Sequence, residues 1–140
     1  MVTRADKYTI NTNRSVYFAD FLTDFSLNPV TGELARVTNE ESVKQSLKNL
    51  IMTMKGERFY DDNKGSNVFA SMFDLMSPMV VEDVRSSIYE VVSNYMPVVE
   101  LININVEFND NNELRVIIEF SIINIPNKIF TLNFIVERIR

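Results

Sequence analysis

The acidic residues around Glu57 are the part of this chain whose types and spacing could support a reaction. Glu57 is followed by Asp61 and Asp62, and Asp74 lies farther along. Two carboxyl groups can cleave a glycosidic bond when an apolar pocket raises the pKa of one of them. Here the acids lie in a polar stretch, Asp61-Asp62-Asn63-Lys64, with nothing apolar to desolvate them. The residues therefore give a glycosidase activity little support.

The composition excludes most other reaction types. The 140-residue chain has no histidine and no cysteine, which removes imidazole bases, thiolate nucleophiles and metal sites built from these ligands. Its three glycines form no Gly-x-Gly pattern, so there is no phosphate-cradling loop or dinucleotide fingerprint. We expect a non-enzymatic protein with no cofactor and no metal.

Charge and hydropathy limit the partners. A net charge of −5 disfavours nucleic acid and anionic membrane surfaces, because both require a basic face. No apolar run reaches the roughly 18 residues of a membrane-spanning helix, and residues 1–7 lack the apolar core of a signal peptide. The absence of cysteine fits synthesis in the cytoplasm.

The length indicates one domain. Residues 1–16 are polar without clear periodicity and predict an extended or flexible arm, followed by a single domain over residues 17–140. The aromatic cluster that opens this domain suits a short helix or a strand; it comprises Tyr17, Phe18, Phe21, Leu22 and Phe25. Residues 28–33 contain Pro29 and Gly32 and predict a turn.

Helices are expected on both sides of Glu57. Thr38 and Glu41 have the spacing of a capping box, and Gly56 can end the helix that follows. The predicted buried stripe of this helix is Val43, Leu47, Leu50, Ile51 and Met54. Ser66 is placed to cap a short helix carrying Val68, Phe69, Met72 and Phe73.

A longer helix is expected to open at Ser77-Pro78 and to stop at Pro97. Its buried stripe would be Val81, Val84, Ile88, Val91, Val92 and Tyr95.

The last third of the chain alternates with the two-residue period of half-buried strands. The predicted core face comprises Ile102, Ile104, Val106 and Phe108, then Val116, Ile118, Phe120 and Ile122, then Phe130, Leu132, Phe134 and Val136. Turns are expected at Asn109–Asn112 and at Ile125–Lys128. The fold class is therefore α+β, with helices packed on one face of a small antiparallel β-meander.

The other face of this sheet carries Ile117, Ile123, Ile129 and Ile135 among polar residues. A free sheet edge offers unpaired N–H and C=O groups to any passing strand. Two alternatives remain open for this edge, coverage by the N-terminal segment of the same chain or pairing with a strand of a partner.

Several local motifs, taken in order, resemble the baseplate wedge or sheath-initiator family of contractile phage tails, the T-even type called "lysozyme-like". The motifs are the aromatic-Asp segment Tyr17–Asp20, the turn Asn28–Gly32, Val43-Lys44-Gln45-Ser46, Gly56-Glu57-Arg58 with Phe59, Gly65-Ser66, Phe73, and the ending Phe134–Arg138. The order and spacing of the motifs carry the resemblance, which covers residues 17–140. Related components occur in type VI secretion and other contractile injection machines.

The resemblance implies a structural virion protein of the tail baseplate. Such proteins template the first sheath ring through a sheet edge and link baseplate rearrangement to sheath contraction. The implied partners are other wedge proteins and the sheath protein, with the tail tube as a further candidate. A tail-associated peptidoglycan hydrolase, "lysozyme-like" and using a carboxylate pair, is the alternative.

Two groups of candidate partner-binding residues follow. The first is the loop Gly56, Glu57, Arg58 and Phe59, and the second is the sheet edge Asn133, Ile135 and Glu137. Arg58 could bind a neighbour's carboxylate in a bidentate contact. The chain departs from the family where Met96-Pro97-Val98 replaces a Glu-Pro-Arg motif, so an apolar contact is expected there instead of a charged one.

Overall fold

A computed structural model describes residues 18–73, 77–109 and 113–137. Two short paired strands come first and three helices follow, namely β1 (Ala19–Phe21), β2 (Arg36–Thr38), α1 (Glu40–Met52), α2 (Val68–Ser71) and α3 (Pro78–Tyr95). An antiparallel meander completes the fold, with β3 (Val99–Asn109), β4 (Glu113–Ile122) and β5 (Ile125–Glu137) in the order β3-β4-β5. The predicted α+β class is confirmed, and the predicted arm lies outside the described residues.

One hydrophobic core lies between the helices and one face of the meander, because apolar side chains alternate along the strands as predicted. Fully buried side chains of the central strand β4 are Leu114, Val116, Ile118 and Phe120. The helices contribute side chains at helical spacing, Leu47 and Ile51 from α1 and Val84, Ile88 and Val92 from α3.

Helix α3 follows its predicted boundaries. Ser77 takes an extended conformation at the N-cap and Pro78 occupies the first helical position. The helix ends at Tyr95, two residues before Pro97. Of the predicted stripe, Val81 and Tyr95 are half-buried rather than buried, and Val80 is buried in addition.

The predicted capping box of α1 is wrong. Thr38 belongs to β2 and pairs with Ala19 of β1, and the N-cap is Asn39, which has a φ of 51° and no side-chain cap bond. Glu41 forms an ion pair with Lys44 at 3.0 Å instead. Because Thr38 is paired with β1, it does not cap the helix. The chain turns from β2 into α1 at Asn39, a residue type that tolerates a positive φ.

The start of the first predicted core-facing strand, which is β3, also needs a correction. Ile102 is 51% exposed because the pairing of β3 with β4 shifts register between Leu101 and Asn103, which makes Ile102 the extra residue of a β-bulge. Leu101 takes its place among the residues that pack against the core. The alternation continues as predicted from Ile104 onward.

The turn predicted at Ile125–Lys128 lies earlier, at Ile123 and Asn124, and β5 already begins at Ile125. Residues 126–128 bulge out between the Ile122–Ile125 and Ser121–Ile129 pairs, with Asn127 at a φ of 67°. Residues 126–128, whose composition favours a turn, therefore lie in this bulge and not where the chain reverses between β4 and β5. The other predicted turn, at Asn109–Asn112, falls largely outside the described residues.

Candidate protein-binding site

The loop between α1 and α2 is closed at its base by the main chain. Met54 and Ser66 form a parallel bridge, and the Ser66 N–H donates to the Thr53 carbonyl at 2.8 Å. The buried Ser66 hydroxyl donates to the Ile51 carbonyl at the end of α1. Gly65, at a φ of +142°, lies so close to residues 53 and 54 that a side chain would collide with their main chain. The loop is therefore a compact closed unit.

Glu57 has a structural role in this loop. Its carboxylate accepts a hydrogen bond from the Met54 N–H at 2.9 Å, and its own N–H donates to the Met54 carbonyl at 3.2 Å. Gly56, at a φ of +84°, donates its N–H to the Asp62 carbonyl at 2.8 Å. Glu57 and Asp62 are both exposed, so neither lies in an apolar pocket, and Asp74 lies outside the described residues.

Two aromatic side chains project from the tip of the loop. Phe59 is 95% exposed and Tyr60 is 99% exposed, and their rings meet edge to face with centroids 6.0 Å apart. Beside them Arg58 is exposed, and its guanidinium has no bonding partner in the described part of the chain. Tyrosine and arginine side chains are enriched in the binding hot spots of protein interfaces. The sequence prediction named Phe59 but missed Tyr60, although its position next to Phe59 in a polar stretch was a usable signal.

The base of the loop is attached to the last two turns of α3. Lys55 forms an ion pair with Glu90 at 3.6 Å, and the Lys64 ammonium lies 5.8 Å from the centre of the Tyr95 ring. The ion pair is exposed and the residues of the Lys64–Tyr95 contact are half-buried, and both contacts are individually weak, at about 0–1 kcal/mol each. Together they join the base of the loop to the C-terminal part of α3.

The second predicted group lies on β5 as a row on the outer face of the sheet. Asn133 is opposite Ile117 of β4, Ile135 is opposite Arg115, and Glu137 is opposite Glu113. From Ile129 to Glu137 the pairing with β4 is continuous, without a register shift. Within the described residues β5 pairs with no other strand, so its outer edge is open.

The opposite edge of the sheet, formed by β3, is adjoined by a groove and contacted by an arginine side chain, neither of which the sequence indicated. A groove of about 660 Å³ runs between α3 and β3, lined by residues that include Tyr89, Leu101 and Ile102. Arg85 of α3 lies in it and donates its Nε–H to the Ile104 carbonyl at 3.0 Å. The β3 edge is thus interrupted by the bulge at Ile102 and by a side chain that already occupies one of its acceptors.

The segment that departs from the family motif is packed internally. Met96 and Val98 are half-buried against the core, and only Pro97 between them is exposed. The Val98 carbonyl also accepts the Ile123 N–H at 3.1 Å, which ties this corner to the β4–β5 reversal. The apolar side chains therefore contact the chain's own core.

No helix in the described ranges is long and apolar enough to cross a membrane. Within residues 18–73, 77–109 and 113–137 no group of acidic side chains is arranged to hold a metal ion.

Comparison with known proteins gives a consistent result. Residues 37–127 match the family described as baseplate wedge protein gp25. The protein of that name from Enterobacteria phage T4 is 33% identical over 98 residues, which cover 69% of this chain and 74% of the phage protein. The family match includes the loop with Phe59 and ends before Asn133 of β5.

Two solved structures share the fold. A chain of the anti-feeding prophage baseplate superposes with a TM-score of 0.67 at 22% identity, covering 79% of this chain and 89% of the other. A proposed tail lysozyme from Geobacter sulfurreducens superposes with a TM-score of 0.64 at 18% identity, covering 72% of this chain and 92% of the other. At these identities the likeness concerns the fold alone.

Proposed function

Since the chain belongs to the family of baseplate wedge protein gp25, a structural component of the tail baseplate in contractile systems, we propose that it starts the tail sheath from that baseplate. In this proposal the loop with Phe59 and Tyr60 binds neighbouring wedge proteins, and the open edge of β5 receives a strand of the sheath protein. The tail tube is a further candidate neighbour. The protein works without chemistry of its own.

The observation that carries the proposal is the regular edge of β5, which pairs with no further strand in the part of the chain that the structure describes. Main-chain groups along Ile129–Glu137 can pair with an added strand over nine residues in continuous register. The β3 edge is less suitable, because the bulge at Ile102 distorts it and the Arg85 side chain bonds to the Ile104 carbonyl. An added strand therefore meets fewer obstacles at β5.

The loop supports the wedge contact. Phe59 and Tyr60 expose nearly their whole side chains, and burying aromatic rings of this size supplies much of the binding energy of typical interfaces. Arg58 beside them has no internal partner among the described residues and could bind a neighbour's carboxylate in a bidentate contact. We expect Tyr60→Ala to weaken wedge binding at least tenfold, with Phe25→Ala, an exposed aromatic away from the loop, as the control.

The proposed link between baseplate rearrangement and sheath contraction is mechanical. The loop is attached to α3, α3 packs on β3, and the fully buried side chains of β4 join β3 to β5 through one core. A close-packed core transmits displacement because its side chains have no room to yield. The domain would then move as a rigid body between its two contacts.

The alternative of a peptidoglycan hydrolase receives no support from the geometry around Glu57. Its carboxylate is exposed and bonded to the Met54 N–H, whereas a glycosidase acid lies in an apolar pocket. The fold shared with a proposed tail lysozyme makes a direct test worthwhile. Clearing of peptidoglycan by the purified chain that disappears in Glu57→Gln, with the fold intact, would establish the enzyme instead.

The edge is tested by matched proline substitutions. Ile135→Pro on β5 and Ile102→Pro on β3 change the same residue type at similar exposure, 47% and 51%, on opposite edges of one sheet. We expect Ile135→Pro to abolish capture of the sheath protein and Ile102→Pro to retain it, with circular dichroism showing both variants folded. Loss of capture only in Ile102→Pro would place the contact on β3, and capture by both would refute the edge model. Should Ile135→Pro unfold, Asn133→Lys and Asn105→Lys, which flank Ile117 in one row, replace the pair.

A further inference from the structure

The outer face of the meander, on the side away from the helices, contains a hollow between β4 and β5. The hollow measures about 480 Å³, and its lining includes Arg115, Ile117, Asn133 and Ile135. Ile135 is 47% exposed, and Ile117 in the central strand is half-buried. The hollow therefore offers an apolar contact to a side chain inserted from outside the domain.

Carboxylates flank this hollow along the direction of the strands. Glu113 and Glu137 are direct cross-strand neighbours at one end of it, and Glu119 lies at the other end, two residues beyond Ile117 on β4. None of the three forms an ion pair within the described ranges. Like charges directly opposite each other destabilise a sheet, so the first pair has an unfavourable contact that a cation from another protein would relieve.

Most of the net charge of the chain lies on the same face. The described part of the face holds five of the 19 acidic and one of the 14 basic residues, so it carries −4 while the rest of the sequence carries −1. These residues are Glu100, Glu107, Glu113, Glu119, Glu137 and Arg115. A face of this charge repels nucleic acid and anionic membranes, and it attracts a cationic protein surface.

The spacing of these features matches one side of an α-helix. The middle of the hollow lies about three residues, or roughly 10 Å, from the carboxylates at either end, and two helical turns span about 11 Å. The three strands present a strip about 10 Å wide, which is close to the diameter of a helix. We propose that this face binds a helix of a partner protein that carries Lys or Arg two turns before and two turns after an aliphatic residue, and that the aliphatic side chain enters the hollow.

Arg115 determines where the cations of the helix must lie. It is exposed, it lines the hollow, and it is the one basic residue on the described part of the face. A lysine at the centre of the helix would meet this charge, whereas an aliphatic residue there covers Ile117 and Ile135. The contact uses side chains of the face and leaves the outer main-chain groups of β5 free, so it is additional to the strand pairing proposed above.

A synthetic alanine- and glutamine-based helix tests this pattern. It carries a central leucine with a lysine two turns away on each side, and its control has the same composition with both lysines moved to the opposite side of the helix. In an NMR titration of the full chain, we expect the matched peptide to shift backbone amides around Ile117 and Asn133. It should bind at least about threefold more tightly than the control, because two exposed ion pairs are added. Equal binding of the two peptides, shifts centred on another surface, or no shifts at millimolar peptide would overturn the proposal.

Two double variants separate this face from the overall charge. Glu119→Gln with Glu137→Gln removes two carboxylates from the face, whereas Glu41→Gln with Glu90→Gln removes two from α1 and α3. Both raise the net charge by the same amount, so both reduce non-specific attraction alike. We expect the first to weaken peptide binding at least about threefold and the second less than about 1.5-fold, and equal losses would contradict the proposal.

The first of these variants should also remain folded, because Glu137→Gln removes the repulsion with Glu113. Circular dichroism checks this before the titration. The experiment contains no sheath protein, so its failure is distinct from a failure of the sheath binding proposed for the β5 edge.

Discussion

Replacing Gly65 by alanine should destabilise the protein more than replacing either of its other glycines. A β-carbon at Gly65 would lie 2.7 Å from the carbonyl carbon and oxygen of Met54 and from the Thr53 carbonyl oxygen, all main-chain atoms that cannot rotate away. The position also has a φ of +142°, a region that residues with a side chain rarely adopt. At Gly32 and Gly56, with φ of +71° and +84°, a β-carbon would meet nothing within 4 Å.

The expected magnitudes follow from these geometries. At Gly32 and Gly56 only the left-handed conformation is penalised, which costs about 1–2 kcal/mol. At Gly65 the strained conformation costs about 1–3 kcal/mol, and relieving the collision must move the Met54–Ser66 bridge. We therefore expect Gly65→Ala to lower the free energy of unfolding by about 3–5 kcal/mol.

Urea unfolding followed by circular dichroism provides the measurement. With a slope near 2 kcal/mol per molar urea, typical of small domains, the midpoint should fall by about 2 M for Gly65→Ala and by less than about 1 M for the other two variants. Equal losses in all three variants would show that the loop does not approach the end of α1 as closely as described. Because the collision acts on the loop base, Gly65→Ala should also weaken binding through Tyr60 in chains that remain folded.

Four further substitutions test the core, the base of the loop and a surface ion pair. Ile118→Ala removes a fully buried side chain from the central strand and should cost about 2–5 kcal/mol of unfolding free energy, whereas Ile129→Ala, at 65% exposure, should change it by less than about 0.5 kcal/mol. Ser66→Ala removes the hydroxyl that donates to the Ile51 carbonyl, and we expect a loss of about 1–3 kcal/mol in urea unfolding. Lys128→Met breaks the partly exposed ion pair with Glu40, so it should cost at most about 1 kcal/mol, and the difference should vanish in 1 M salt.

The sequence predicts the elements whose signals are local and periodic. Ser77-Pro78 marks the start of α3 because a capping residue followed by proline is favourable there whatever the tertiary structure. The alternation along β4 identifies the buried face because the side chains of a strand point to opposite faces.

The corrections arise where a distant segment decides the local structure. Thr38 satisfies the pattern of a helix cap, but pairing with Ala19 places it in a strand. Ile102 satisfies the alternation, but the register with β4 makes it the extra residue of a bulge. The same limit applies to the β3 edge, since the contact between Arg85 and the Ile104 carbonyl depends on where α3 lies.

The two proposed contacts lie on different sides of the core, which leads to a last prediction about how they act together. The loop is attached to α3, which packs on β3, whereas the β5 edge lies beyond β4 beside α1. Separate contacts on one rigid domain should contribute independently to binding a complex that engages both. Combining Tyr60→Ala with Ile135→Pro should therefore change the binding free energy by the sum of the single effects, within about 0.5 kcal/mol, as measured by calorimetry with a wedge–sheath complex. A larger deviation would mean that one contact alters the conformation at the other, and the domain would then act as a switch rather than as a rigid joint.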